Sequence, residues 1–409
     1  MVASQKRIPT LEMIMIIAFM AYYLLPALAS SISFVVGLLL GSGYLAYVLT
    51  KIPAKDARVM LKYAAMILFV ALCYFFLTQT KTIDPSVSFY HLKRFLSKVY
   101  QQFMMFLPVV FLYRTVGYAS DRQKKALLFL GLLFFGWIMV NTTVELLKNP
   151  NAARAWSYFS EQSENNVGTY SFVCAVGAMV PVTMYCIIRV RRIVLKAVVL
   201  CLLSFLLVFL SKAQYTLALL SAIVTLLVVG YTHLQQRIFK VFALLAIPLI
   251  LICIPLFLSY LAQHIASPEI ALRLNELVVF FGSGDASGYN LAGRISLYTK
   301  TIQAFLSSPI IGNRSLNFDG HATFLTVLSD VGLLGAAPFY YLYFSMKNRV
   351  YEIVQGEKIK ALFFPTFLCL IMIGFTNPIQ GALPLALVVW FLTPLIINLL
   401  NGHEENKNE

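Results

Sequence analysis

The segment AVVLCLLSFLLVFLSKAQYTLALLSAIVTLLVVGYT, residues 197–232, contains two apolar runs separated by a short polar stretch. Lys212, in that stretch, is the only charged residue of the segment. A helix that crosses a bilayer needs roughly 20 predominantly apolar residues, and each run has nearly that length. The segment therefore predicts two membrane spans, at 195–211 and 213–232, which are joined by a tight turn.

The same pattern recurs along the 409-residue chain, of which 60% is apolar and only 12% is charged. Soluble domains carry about 25% charged residues, so lipid has to solvate most of the surface of this chain. Backbone groups in hydrocarbon must form hydrogen bonds within the protein, so these apolar runs are expected to be helices. We therefore predict an all-α fold, a polytopic transmembrane helical bundle that forms a single integral membrane domain over residues 1–409.

About twelve spans fit the apolar runs. They are predicted near 11–29, 31–50, 60–78, 101–119, 126–146, 169–188, 195–211, 213–232, 241–261, 323–345, 361–377 and 383–400. The first run has no small-residue cleavage site followed by a soluble domain. We interpret it as a retained anchor and not as a removed signal peptide.

The basic residues indicate the orientation. Roughly two thirds of the 32 Lys and Arg residues fall on one side of a twelve-span arrangement, which makes both termini cytoplasmic by the positive-inside rule. The larger polar loops, near 79–100, 147–168 and 262–322, then face outward. Basic clusters such as 189–192 lie between apolar runs and are expected to meet lipid headgroups. The net charge of +15 therefore predicts a bilayer as partner and no nucleic acid.

The loop at 262–322 is the longest, and loops above about 15 residues are usually functional or disordered. Within it, ISLYTKTIQAFL at 295–306 predicts an amphipathic helix that Pro309 and Gly312 end. Its predicted apolar face consists of Ile295, Tyr298, Ile302 and Phe305. The glycine-rich stretch at 282–288 predicts a flexible connector that acts as a hinge.

Two ionisable residues stand at the end of this loop and in the span after it. His321 lies at the predicted outer mouth of the span, where an imidazole suits proton transfer; alternatively it is an interfacial histidine that bonds a neighbouring loop. Asp330 lies inside the span, where an acid normally faces a partner or a polar cavity. Alternatively, Asp330 only holds two helices together.

Four cations are candidates for binding an anion. Arg294 begins the predicted loop helix and offers a planar fork of donors for phosphate or carboxylate. Lys212 lies at an outward turn, where a lysine that snorkels to the interface is the alternative. Arg273 and Arg314 are equally well explained as solvated or ion-paired residues. The four Lys and Arg residues of the loop are balanced by four acids, so an anion site there requires specific geometry.

No motif predicts a metal or a cofactor. The sequence has no P-loop, no GxGxxG motif after a strand and no HExxH motif. The six cysteines lie within apolar runs and form no CxxC pair, which predicts neither disulfides nor a zinc site.

Read in order, these residues resemble the O-antigen polymerase and O-antigen ligase superfamily of bacterial membrane glycosyltransferases. The resemblance covers about 165–345 and rests on NNVGTYSF at 165–172, FLSKAQYTLALL at 209–220, and the segment 293–335. That last segment reads GRISLYTKTIQAFLSSPIIGNRSLNFDGHATFLTVLSDVGLLG. Two residues depart from the family pattern: Lys212 stands where an arginine is usual, and Ala322 follows His321 where an asparagine is frequent.

The resemblance implies a GT-C-like fold and a reaction at the outer face of a bacterial inner membrane. A glycan would pass from undecaprenyl pyrophosphate to an acceptor hydroxyl, without a metal and with inversion at the anomeric carbon. His321 would be the base, with Arg294 beside it in the catalytic site, and Asp330 would support the site. Arg294, Lys212 and Arg314 would bind the pyrophosphate.

In a polymerase the acceptor is the sugar of another undecaprenyl-pyrophosphate-linked repeat unit, and further expected partners are a flippase and a chain-length regulator. The short stretch between Gly312 and His321 favours this activity. The alternative is an O-antigen ligase, which transfers the glycan to the lipid A core. Outside the enzymes, a transporter of lipid-linked oligosaccharides or a structural scaffold also fits the predicted spans.

Overall fold

In a computed structural model the chain is described over residues 7–77, 85–149, 152–154, 166–213, 215–233, 289–313, 322–355 and 359–408, with isolated residues between 256 and 279. All regular secondary structure within these residues is helical. The longer helices are α1 (Thr10–Leu24), α2 (Pro26–Ser31), α3 (Phe34–Leu49), α4 (Ala54–Leu77), α5 (Pro85–Tyr118), α6 (Asp121–Lys148), α7 (Tyr170–Arg189), α8 (Ile193–Lys212), α9 (Thr216–His233), α10 (Tyr289–Ser307), α11 (Thr323–Val354), α12 (Ile359–Thr376), α13 (Leu383–Leu387) and α14 (Thr393–Asn408). A 3₁₀ turn lies at Ala152–Arg154, and a π-helical turn at Val388–Leu392 joins α13 to α14.

Seven helices among the described residues are long and apolar enough to cross a membrane: Ala54–Leu77, Phe95–Tyr118, Asp121–Lys148, Tyr170–Arg189, Ile193–Lys212, Thr323–Val354 and Leu383–Asn401. Shorter apolar helices lie at Thr10–Leu24, Phe34–Leu49, Leu217–His233 and Lys360–Thr376. A helix therefore lies at every predicted span except 241–261, most of which is outside the described residues. The all-helical membrane class is confirmed, whereas the number of twelve spans stays a prediction.

The polar loop predicted at 79–100 is wrong over residues 85–100, which form the first part of α5. Pro85 suits the first position of a helix, because its missing N–H has no partner there and its φ is already helical. A helix of 34 residues extends over about 50 Å, which exceeds a hydrocarbon core of about 30 Å. The polar residues of this segment therefore lie on a helix that projects beyond the apolar layer.

The helices differ in how much of their surface is enclosed. In the C-terminal span Leu383–Asn401 and in helix α7, 83% and 78% of the residues in the apolar stretch are buried. In α8 only 22% are buried. The enclosed core contains Trp390, which packs against the rings of Phe363 and Phe367. The outer helices expose large apolar side chains, and such surfaces on long apolar helices fit a lipid environment.

Ion pairs hold one end of the bundle, which we call the Arg114 end. Arg114 donates two hydrogen bonds, of 2.6 and 2.7 Å, to the carboxylate of Glu12, and both side chains are almost fully buried. Nearby in the chain, Tyr113 donates to Asp56 at 2.7 Å, and Asp56 also pairs with Arg349. These contacts join α1 and α4 to α5 and α11 at this end.

The opposite end, which we call the Gln380 end, follows from the direction of the helices. Helix α4 begins beside Arg349 at the Arg114 end and carries Tyr74 near its other terminus. Helix α11 carries Arg349 at the Arg114 end, so Thr323 at its start lies at the Gln380 end. The connection 377–382, between α12 and α13, belongs to this end as well.

We predict that Arg114→Met lowers the free energy of unfolding by about 3–5 kcal/mol, because it leaves the Glu12 carboxylate buried without its counter-ion. The double variant Glu12→Leu/Arg114→Met should recover most of that loss. Thermal unfolding in detergent micelles checks both statements. Glu145→Ala is the control, since its pairing with Lys148 is on the surface and is worth less than about 1 kcal/mol. A double variant as unstable as Arg114→Met contradicts the explanation.

Candidate functional site

The start of α11, directly after His321, is fixed to the connection 377–382. The backbone N–H of Thr323 donates to the carbonyl of Asn377 at 3.2 Å. The hydroxyl of Thr323 accepts a hydrogen bond of 2.8 Å from the N–H of Ile379. Ala322 and Thr323 are buried. The chain therefore enters α11 at a well-defined point on the Gln380 end.

Helix α5 forms the other side of this connection. The ammonium group of Lys98 donates to the side-chain oxygen of Gln380 at 2.9 Å and lies 4.8 Å from the centre of the Tyr74 ring. Gly381 has a φ of 76°, and a Cβ placed on it would lie 3.3 Å from Cγ of Gln101. The turn at 380–381 is thus packed closely against one helical turn of α5.

Three glutamines at this place, Gln101, Gln102 and Gln380, carry buried amide atoms without a hydrogen-bond partner, and we call them the amide cluster. Gln102 is 1% exposed, and neither its oxygen nor its nitrogen is bonded within the described part of the chain. The same holds for the oxygen of Gln101 and the nitrogen of Gln380. Such a buried group costs about 1–3 kcal/mol. Unpaired buried atoms of this kind also occur on other described residues, among them Thr115, Thr366 and Thr393.

Helix α11 is broken at Gly332, nine residues after its start, where φ is 56° and ψ is −164°. The segment 309–313 replaces the backbone bonds that the break removes. Leu333 donates to the carbonyl of Pro309 at 2.8 Å, and Leu334 donates to Ile310 at 3.0 Å. Asn313 donates to the carbonyl of Ser329 at 2.8 Å. The backbone of 309–313, which crosses α11 here, therefore supplies the hydrogen-bond partners that the break removes. Backbone groups within lipid require such partners.

This crossing fixes the position of α10, the helix predicted within the long loop. Near the Gln380 end, Tyr298 donates to the carbonyl of Thr376 at 3.1 Å. At its other terminus, Pro309 reaches Gly332, about 14 Å further along α11. Helix α10 thus runs along α11 from the Gln380 end toward the middle of the bundle. The chain turns back at 309–313.

The helix predicted at 295–306 is confirmed, and its predicted apolar face is not uniformly buried. Ile302 is 46% exposed, whereas Thr301 is 7% and Ala304 only 2% exposed. Small side chains allow α10 to approach α11 closely, as is common between helices in membranes. The larger apolar side chains, including Ile302 and Leu306, face outward.

Three of the predicted site residues lie within described elements. Arg294 is in α10, four residues before Tyr298, but its side chain is outside the described residues. Lys212 is the exposed last residue of α8. Asp330 is half-buried, and its backbone lies against Gly312 at the helix break. Helix α8 packs on α7 and α9, whereas α10 packs on α11, so the described contacts do not bring Lys212 to α10.

His321 and Arg314, as well as Arg273 and the predicted hinge at 282–288, lie outside the described residues. Their roles stay predictions. Within the described ranges, His, Cys, Asp and Glu side chains form no group of three that could hold a metal ion.

Sequence reasoning missed the amide cluster. Its signals are a pair of polar residues in the apolar run VYQQFMMFLPVV at 99–110 and the polar turn NPIQGA at 377–382. Each signal alone is weak, because a glutamine near the end of a span usually faces water. Only the fold brings the two segments together and buries Gln102.

In comparisons with known proteins, no protein-family model matches this chain, and no curated protein matches its sequence. The resemblance to the O-antigen polymerases and ligases therefore rests on the residues at 165–172, 209–220 and 293–335.

We predict that Gly332→Ala lowers the free energy of unfolding by about 3 kcal/mol or more, since it combines a left-handed φ with overlap against a packed backbone. A Cβ at this residue would lie 2.4 Å from the carbonyl oxygen of Ile310. Gly136→Ala is the matched control, because no atom lies within 4 Å of its Cβ position. The check is the midpoint of thermal unfolding in micelles, and equal midpoints for the two variants contradict the packing described for the break.

We predict that the two ends of α8 face opposite sides of the membrane, because its 20 residues extend over about 30 Å. In a variant without native cysteines, Lys212→Cys should react with an impermeant maleimide in intact cells. Lys196→Cys should react only after permeabilisation. The reverse result would invert the predicted orientation, and labelling of both in intact cells would remove α8 as a span.

Proposed function

We propose that this protein is a membrane glycosyltransferase that polymerises lipid-linked repeat units of a bacterial surface polysaccharide. The observation that carries the proposal is the fixed start of α11 beside the amide cluster. The candidate base His321 immediately precedes Ala322 and Thr323, which are anchored to the connection 377–382. That connection also carries Gln380, whose side-chain oxygen accepts a hydrogen bond from Lys98 of α5.

The chemistry is a displacement at the anomeric carbon of the donor sugar. His321 takes the proton of the acceptor hydroxyl, and the hydroxyl oxygen forms the new bond to that carbon. The bond from the carbon to the pyrophosphate breaks, and its electron pair leaves with undecaprenyl pyrophosphate. Arg294, Lys212 and Arg314 are proposed to neutralise this leaving group, which makes a metal dispensable.

Asp330 is proposed to support the site by positioning. It lies directly before the helix break, where its backbone packs on Gly312 and where Asn313 bonds Ser329. The chain continues from Asn313 through Arg314 to His321. A fixed crossing therefore restricts where that segment can begin, just as Thr323 restricts where it ends.

The lipid carrier also fits the surface of the bundle. Helix α8 ends at Lys212 and exposes Ile193, Val194 and other apolar side chains along its length. A polyprenyl chain in the bilayer can lie against such a helix while its pyrophosphate stays at the interface. We propose the inner membrane of a bacterium as the location, with both termini in the cytoplasm and the site at the outer face.

One observation favours a second candidate, a transporter of lipid-linked oligosaccharides. Secondary carriers often bind substrates at broken helices in the middle of the membrane, and α11 is broken at Gly332. The break is, however, filled by the backbone of 309–313 rather than left open toward a cavity. The polymerase is therefore the better-supported candidate.

We predict that His321→Ala and Arg294→Ala each abolish the lengthening of the surface polysaccharide, because the base or a pyrophosphate cation is lost. The measurement is gel analysis of surface glycan in a deletion strain complemented with each variant at equal protein level. Single repeat units on their carrier indicate a lost polymerase, whereas long chains left on undecaprenyl pyrophosphate indicate a lost ligase.

Gln303→Ala is the control, since this exposed side chain of α10 should leave lengthening unchanged. Long polysaccharide in either His321→Ala or Arg294→Ala would refute the proposed catalytic roles. Repeat units that accumulate on the cytoplasmic face of inverted vesicles support the transporter instead, provided that units already on the opposite face are polymerised normally.

A further inference from the structure

We propose that a surface patch near the Arg114 end binds the phosphate of an anionic phospholipid. The patch consists of Lys62 in α4 and of Tyr341, Phe344 and Lys347 in α11, and we call it the lysine patch. Such a site is independent of the proposed function. It is also more specific than the general attraction of basic clusters to headgroups, because two lysines are held in place on one lipid-facing surface.

Aromatic side chains hold both lysines of the patch. The ammonium group of Lys62 donates to the hydroxyl of Tyr341 at 3.0 Å and lies 4.8 Å from the centre of that ring. The ammonium group of Lys347 lies within 5.7 Å of the centres of three rings, those of Phe344, Tyr351 and Phe367. A ring attracts a cation without neutralising it. Both lysines are therefore positioned and still able to bind an anion.

The acids at this end pair with an arginine and not with these lysines. Asp56 and Glu352 are both bonded to Arg349. Within the described ranges, no carboxylate forms an ion pair with the ammonium group of Lys62 or Lys347. The patch thus carries two positive charges that are not balanced by a described carboxylate, and its chemistry suits an anion.

Both lysines lie at the border between the apolar spans and water. Lys62 is exposed and stands near the start of the span predicted at 60–78. Lys347 follows the span predicted at 323–345 by two residues. Headgroups lie at this depth, together with the interfacial tyrosines and basic residues of membrane proteins. The patch is therefore placed to meet a phospholipid headgroup.

Exposed apolar side chains continue along α11 from the patch toward the middle of the bundle. Leu334 and Phe344 are 45% and 49% exposed, and residues 331–346 include no charged side chain. From Leu334 to Phe344 the helix extends about 15 Å, which is half of a hydrocarbon core of about 30 Å. An acyl chain of one leaflet can therefore lie along α11 while its phosphate meets the lysines.

Other ligands match the patch less well. A soluble phosphate would use the ammonium groups but not the apolar surface beside them. A zwitterionic lipid brings an ammonium group of its own, which the two lysines repel. The positive-inside rule predicts that the N-terminus, and with it Glu12 at the Arg114 end, faces the cytoplasm. Anionic lipids give the cytoplasmic leaflet its negative surface potential, so the predicted orientation supplies the ligand on the correct side.

Lys51 provides the matched control. It is exposed, precedes α4 at the same end, and lies 6.0 Å from the ring centre of Tyr47. Lys51→Gln and Lys62→Gln each remove one positive charge from this end of the bundle. A general attraction between a basic surface and anionic lipid would weaken equally in both variants. A site at the lysine patch would weaken in Lys62→Gln and not in Lys51→Gln.

The experiment measures the unfolding temperature of the full-length protein in micelles of an uncharged detergent while dioleoylphosphatidylglycerol is added. We expect a rise, and little change with dioleoylphosphatidylcholine, which has the same acyl chains, or with inorganic phosphate. Lys62→Gln and Lys347→Met should each increase the phosphatidylglycerol concentration for half of the rise by about fivefold, the usual effect of one basic residue near an anionic surface. The double variant should lose the rise, and Lys51→Gln should keep it.

Lys347→Met and Lys347→Arg separate the charge of this residue from its packing. Lys347→Met keeps an apolar stem against the three rings, so the protein without lipid should unfold at the normal temperature. Lys347→Arg keeps the charge and also stacks on rings, so it should retain the response to phosphatidylglycerol. If Lys347→Met unfolds early, Lys62→Gln carries the test, because its side chain is exposed.

Four results would overturn the site. Equal weakening in Lys51→Gln and Lys62→Gln leaves only a general basic surface. An equal rise with phosphatidylcholine removes the need for an anion, and an equal rise with inorganic phosphate makes the ligand a soluble one. Absence of any rise with phosphatidylglycerol removes the ligand altogether. None of these results bears on the proposed polymerase, which the gel analysis of surface glycan tests separately.

Discussion

The helix break at Gly332 is the constraint on which the Gln380 end of the molecule depends. In hydrocarbon, every backbone N–H that leaves a helix needs another partner. The carbonyls of Pro309 and Ile310 supply partners for Leu333 and Leu334, and this is possible only because Gly312 and Gly332 have no side chains at the crossing. The crossing in turn holds α10 along α11 and sets where the segment that leads to His321 begins.

Polar side chains are buried at both ends of the bundle. At the Arg114 end, Glu12 and Arg114 form a bidentate pair, which suits a structural contact. At the Gln380 end, the amides of Gln101 and Gln102 keep free atoms. The same holds for the hydroxyl of Thr115 and for Nε of Arg349 at the Arg114 end, so unpaired atoms among the described residues do not distinguish the two ends.

The sequence was sufficient for the class of fold, because apolar runs of about 20 residues admit only helices in lipid. The sequence did not predict the features that depend on tertiary contacts. The polar residues after Pro85 form the start of α5, a part of the helix that a hydropathy pattern does not include. Ile302 faces outward because lipid accepts an apolar side chain as readily as a protein core does. Gly332 gave no local sign of a break, since the backbone hydrogen bonds of Leu333 and Leu334 go to Pro309 and Ile310, which lie 333 − 309 = 334 − 310 = 24 residues earlier in the chain. The amide cluster likewise exists only after α5 and the connection 377–382 meet.

The separation of Lys212 from α10 bears on how the proposed substrate arrives. A lipid-linked donor moves within the bilayer, so its pyrophosphate reaches the protein from the side and at the interface. Lys212 lies at the end of α8, which has the smallest buried share among the long apolar helices within the described ranges, and we propose that such a headgroup first meets the bundle there.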